Sequence, residues 1–130
     1  MFTRKAINPW SWSTKLGFDQ AQLIEGHRRQ LVCSGQDAVD ANGNPQHPGD
    51  MAAQLRLAID NLEAVLAGAG MTVADVVRLN IYATDVDALL QHFGVLAERF
   101  AGHTFASSVL GVARLPDPGL MVMLEATAMD

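Results

Sequence analysis

Glu125 is an ionisable side chain in a setting that could let it move a proton. It lies in an alternating apolar stretch, on the strand face that also carries Met121, Met123 and Thr127, where lost hydration suits a proton carrier or a base that positions water. The same pattern fits a carboxylate paired across a subunit interface, and on strand pattern alone that structural role is the commoner one. Trp10 and Trp12 offer flat aromatic surface that would stack on a planar ligand or, equally, seal a core edge or a subunit contact. Ser107-Ser108 lacks the glycine-flanked elbow of a hydrolase serine, which leaves pocket-lining hydroxyls as its role. Cys33 has no histidine tied to it by a nucleophile motif and reads as a small buried hydrophobe.

Metal and phosphate chemistry find no support. His27, His47, His92 and His103 lie far apart, with none of the short paired spacings of a zinc site. The stretch Asp40-Ala-Asn42-Gly43-Asn44 has the start of a calcium loop, but Pro45 occupies the glycine position and Met51 the terminal glutamate position, so it reads as a turn. There is no glycine-rich phosphate loop, and no cofactor is expected.

The elements that must position these side chains follow from periodicity. After a Trp-rich N-terminal arm, Gln20 to Ile24 and Gln30 to Ser34 are short apolar runs around Glu25-Gly26-His27-Arg28-Arg29, predicting a hairpin with a longer loop. Residues 40–49 are rich in turn formers and predict a loop. Leu55, Ala58, Ile59, Leu62, Val65, Leu66 and Ala69 recur at helical spacing, with Asp50 suited to the N-cap and Gly70 to the position past the end. Val77, Leu79 and Ile81 alternate with Arg78, Asn80 and Tyr82 as a half-buried strand. Val86, Leu89, Leu90, Phe93, Leu96, Ala97 and Phe100 mark a second helix before Gly102. Phe105 to Val112 and Leu120 to Ala128 close the chain as two strands around a Pro-rich turn.

The order strand, strand, helix, strand, helix, strand, strand predicts an α/β chain of the α+β kind, a mixed sheet with both helices on one face. In the last strand Leu120, Val122, Leu124 and Ala126 form one apolar side, while Met121, Met123 and Met129 make the other apolar too. A two-layer monomer leaves that second side wet, so burial against other subunits is expected.

Composition bounds the partners. With 130 residues, 49% hydrophobic and only 18% charged, the chain fits a single domain over 1–130 and not a disordered polymer. No apolar run reaches the roughly 18 residues of a membrane span, the N-terminus leads into Asn8-Pro9-Trp10, and one cysteine makes no intrachain disulfide; cytoplasmic placement is expected. A formal charge of −5 with scattered basic residues disfavours nucleic acid.

Three stretches resemble the YjgF/RidA family: Cys33-Ser34-Gly35-Gln36, the run Gln54 to Tyr82 with Asp60-Asn61-Leu62, Ala69-Gly70 and Asp75-Val76-Val77, and Val112-Ala113-Arg114-Leu115-Pro116 leading to Leu124-Glu125-Ala126. The resemblance implies a chorismate-mutase-like fold, a homotrimer, and a small-molecule cleft at each subunit interface. Active members hydrolyse imines or enamines derived from amino acids without metal or organic cofactor, using an arginine that clamps the substrate carboxylate. Counted back from Val112-Ala113-Arg114, that arginine falls on Ser107, the cysteine of some members on Val109, and a helical asparagine on Phe93. Glu125 matches the family's acidic residue, which favours its proton-handling role over the structural one. By the resemblance, Ser34, Gly35, Trp10 and Trp12 join Ser107, Val109 and Phe93 as candidate ligand-binding residues. The lost clamp implies weak action on 2-imino acids and a preference for neutral imines or enamines. A typical 2-imino acid deaminase and a non-catalytic metabolite-binding trimer are the alternatives.

Overall fold

The computed structural model describes residues 2–130. Seven strands and three helices follow in the order β1 (Thr3–Ile7), β2 (Ala21–Glu25), β3 (Gln30–Val32), β4 (Gln36–Asp37), α1 (Met51–Gly68), β5 (Val76–Ala83), α2 (Val86–Gln91), α3 (Phe93–Phe100), β6 (Ala106–Gly111) and β7 (Val122–Met129). The main sheet is mixed. It runs β3-β7-β5-β6, with β4 also on β7, and only β5 and β6 are parallel.

All three helices bury their apolar stripes on one face of this sheet. Leu55, Ile59, Leu62 and Leu66 of α1, Leu89 of α2, and Leu96 and Phe100 of α3 share one core with Leu79, Ile81, Val122, Leu124 and Ala126. Helix α1 is bounded as its sequence predicts: the Asp50 carboxylate accepts from the Ala53 N–H at 3.0 Å, and Gly70 takes φ +71° just beyond the last turn, where a side chain would be strained. In β5 an extra residue between Val76 and Arg78 bulges the strand, which is why Val76 and Val77 are both buried before strict alternation begins.

The structure departs from the sequence expectations at four places, one of them β4, a two-residue strand on β7 that the expected order lacks. The expected second helix is two, because at His92 the ladder tightens to three-residue bonds, His92 N–H to Leu89 O and Val95 N–H to His92 O. An uninterrupted apolar stripe cannot reveal a bend at one residue. The expected hairpin does not form: β2 pairs with β1, and β3 pairs with β7. The C-terminus captures β3, since Asp130 O accepts from Arg28 and Arg29 N–H, and the Arg29 guanidinium pairs with the Asp130 carboxylate. The N-terminal arm contains a strand, β1, which carries no apolar alternation to betray it. It is held by Arg4, whose guanidinium donates to the carbonyls of Ala74, Val76 and Thr104 and to the Gln22 amide oxygen.

The sheet's second face is partly covered from within. Ala38, Leu115 and Leu120 form a small cluster against Val112, Tyr82 and Met123. Beyond that cluster Val32 is 72% exposed and Leu110 is 50% exposed, so the remainder of this face is open in the protomer. No helix is long and apolar enough to cross a membrane among the described residues.

Candidate functional site

Strand β6 lies at the edge of the main sheet, and Ser107 and Val109 share the helix side of it with Leu79 and Ile81, their register partners on β5. Above them, α2, α3 and the segment 12–18 leave a cavity of about 490 Å³. Its walls are apolar: Leu90, Phe93 and Phe100 from the helices, Trp12 and Phe18 from the N-terminal segment, with Trp12 edge-on to Phe18 at 5.8 Å. Ser107 Oγ donates to Leu79 O at 2.6 Å, so its hydroxyl proton is engaged and its lone pairs remain to accept. Among the described residues no arginine or lysine lines the cavity, and His103, exposed at the rim, is the one ionisable side chain along it.

The segment carrying Trp12 and Phe18 is clasped by a polar network. Asp19 is buried, its backbone N–H bonds Phe105 O, and its carboxylate accepts from Asn8 Nδ2 at 2.9 Å and Gln22 Nε2 at 3.0 Å. Burial alone would push the Asp19 carboxyl up, but the bonds from Asn8 and Gln22 and the nearby Arg4 charge outweigh it, and the group lies below the usual aspartate range. A depressed folded-state value stabilises the fold above the unfolded value of about 4, and that contribution is lost as pH falls through the folded value. Urea midpoints measured from pH 6 down to pH 2 should therefore fall less steeply in Asp19→Asn than in wild type; parallel curves would show that the clasp carries no such linkage.

The other half of the expected site lies across the sheet. Glu125 is half-buried on the open face, directly opposite Asn80 on β5. Its Oε1 accepts from Tyr82 Oη at 2.8 Å and Asn80 Nδ2 at 3.3 Å, and Asn80 Oδ1 accepts in turn from Arg78 at 3.4 Å. Gly35 belongs to this side: a Cβ there would fall 2.3 Å from Met123 Sδ, so glycine is what lets the β3–β4 connection lie against that side chain. Ser34 is exposed nearby in sequence and is not among the walls of the cavity beside Ser107.

Ser107, Val109, Phe93 and Trp12 are thus brought together, while Glu125 and Gly35 lie on the opposite face and Trp10, 63% exposed, is not among the walls of this cavity. Cys33 is buried in the core, and burial pushes its thiol up. Sequence reasoning missed Phe18 and Leu90 as cavity walls, weighed His103 only as a metal ligand, and gave Asn80 and Tyr82 no role beyond polar alternation. Their proximity to Glu125 depends on the β5–β7 register, which no local pattern encodes. No group of three His, Cys, Asp or Glu side chains could hold a metal ion among the described residues.

Comparison with known proteins agrees with this architecture. The family model described as endoribonuclease L-PSP matches residues 16–130. The 2-iminobutanoate/2-iminopropanoate deaminase of Escherichia coli K12 is 32% identical over 126 residues, covering 95% of this chain and 88% of that protein. Among solved structures, YyfB of the conserved Rid protein family from Yersinia pestis superposes with a TM-score of 0.88 at 35% identity, over 97% of this chain and 98% of that one. Rv2704 from Mycobacterium tuberculosis, a member of the YjgF/YER057c/UK114 family, superposes with a TM-score of 0.69 at 30% identity, over 98% and 100%. With the family model spanning nearly the whole chain and the mixed sheet and its helices matched by solved Rid structures, the chain belongs to the YjgF/RidA family.

Proposed function

We propose that this protein is a small-molecule-binding Rid trimer that hydrolyses neutral imines or enamines in clefts between subunits and acts weakly on 2-imino acids. The observation that carries the reading is the cavity beside Ser107: about 490 Å³, walled by aromatic and aliphatic side chains, with no arginine or lysine along it. Such a lining favours an uncharged, largely apolar ligand, because a carboxylate placed there loses its hydration without gaining a countercharge.

The trimer enters through Glu125. Within one protomer it lies on the face opposite the cavity, so a Glu125 that meets a ligand there belongs to a neighbouring subunit. The open remainder of that face, with Val32 and Leu110 exposed, supports its burial in an assembly. In the reaction, water adds to the carbon of C=N while Glu125 takes a water proton and passes it to the nitrogen. The resulting carbinolamine collapses: its hydroxyl proton returns through the carboxyl to nitrogen, the C–N bond breaks, and ammonia and a carbonyl compound leave with the carboxylate unchanged. The chain's own residues supply every proton transfer, and no cofactor is invoked.

RNA is not the proposed substrate despite the description of the matching family model, because the net charge of −5 opposes a polyanion. The test is to generate a neutral imine from a primary amine with a flavin amine oxidase and follow its decay to aldehyde and ammonia. Wild type should accelerate that decay, Glu125→Ala should abolish the acceleration, and sedimentation should give three times the 14.0 kDa chain mass. A stable monomer, or acceleration undiminished in Glu125→Ala, would overturn the reading.

A further inference from the structure

The Glu125 carboxylate is held in an unequal way. Both donors that reach it, the Tyr82 hydroxyl at 2.8 Å and the Asn80 amide at 3.3 Å, bond the same oxygen, Oε1. Among the described residues nothing donates to Oε2. A glutamate side chain has several torsions to fix, and two donors converging on one oxygen fix them while leaving the other oxygen with its lone pairs unspent. Tyr82 is packed against the cluster of Leu115 and Leu120, so the nearer donor is anchored, while Asn80 has only a 3.4 Å exposed contact from Arg78.

We infer that Tyr82 is a positioning residue, orienting Glu125 through Oε1 so that Oε2 is the atom presented to a ligand outside the protomer. The catalytic part of this inference rests on the proposed function, in which Glu125 moves protons in a neighbouring cleft. The orientation itself does not. The bond also leaves a mark on the tyrosine: its hydroxyl is pushed above the usual range, chiefly by donating to Glu125, with burial and the carboxylate's charge adding to it.

Tyr82 is the chain's single tyrosine, so its alkaline titration can be read directly by ultraviolet absorbance of the phenolate. In wild type the midpoint should lie above the ordinary value of about 10, and Glu125→Gln should bring it down towards that value. A midpoint unmoved by Glu125→Gln would overturn the orientation. In the neutral-imine assay, Tyr82→Phe keeps the ring and its packing but removes the donor; kcat should fall about tenfold with KM little changed. An active wild type whose kcat survives Tyr82→Phe would overturn the positioning role alone. If wild type hydrolyses nothing, the proposed function falls, and the tyrosine titration still decides whether Tyr82 orients Glu125.

Discussion

Ser107→Arg is expected to raise kcat/KM for 2-iminobutyrate by about tenfold to a hundredfold, the range a charge-assisted hydrogen bond of about 1.5–3 kcal/mol provides. The wild-type cavity meets a carboxylate with apolar walls and a serine whose proton already bonds Leu79 O. An arginine at this position would introduce a planar pair of donors beside the ligand, giving both a countercharge and an orientation. It would also occupy part of the 490 Å³, so the same substitution should lower kcat/KM for a bulky neutral imine. The measurement compares an imino acid produced by an amino-acid oxidase with a neutral imine produced by an amine oxidase, for wild type and variant. Wild type acting equally well on both substrates would defeat the argument, since the cavity would then not discriminate by charge. Ligand-induced thermal shifts with neutral aromatic compounds, unaccompanied by any hydrolysis, would instead support the binding-protein alternative.

Gln54→Leu should destabilise the fold by about 3–5 kcal/mol and lower the melting temperature by roughly 10–20 °C. Gln54 is fully buried in the first turn of α1. Its amide nitrogen donates to the carbonyls of Gln46, His47 and Gly119, at 3.2, 3.2 and 2.8 Å, and its amide oxygen accepts from the Met121 N–H at 2.8 Å. One side chain therefore ties the loop before α1 to the turn that delivers β7. Leucine has a similar size but would leave Gln46 O, Gly119 O and the Met121 N–H without these partners away from water, His47 O alone keeping the Asp50 N–H at 3.1 Å, and unpaired buried groups cost more than the hydrogen bonds contribute on balance. Gln91→Leu, at an exposed position on α2, is the control and should change stability by less than about 0.5 kcal/mol. A Gln54→Leu protein melting with the wild type would show that these bonds are replaced by water or by rearrangement.

The contrast between these two sites shows what could be read early. Helix α1, with its stripe from Leu55 to Leu66 and its Asp50 cap, was legible because helical periodicity and capping are local properties of consecutive residues. The alternation in β5 and β7 was legible for the same reason, and the burial of Val122, Leu124, Ala126 and Ala128 follows it residue by residue. The family resemblance selected Ser107, Val109 and Phe93, and the structure places all three along one cavity. Nothing local marked Gln54, because a buried glutamine has no apolar signature and its partners lie in separate loops.

By itself, then, the sequence determined the apolar stripe and cap of α1, the alternation of β5 and the two apolar sides of β7, since each depends on residue identity and short-range period. Tertiary structure alone decided the rest. Strand partners are chosen by competition between distant segments, so β3 joined β7 and not β2, and β1 was secured by Arg4 reaching carbonyls roughly 70 to 100 residues away. The same register set Tyr82 and Asn80 on one oxygen of Glu125. A side chain's face follows from its own strand, but its neighbours follow from how the strands are paired, and only the folded chain fixes that pairing.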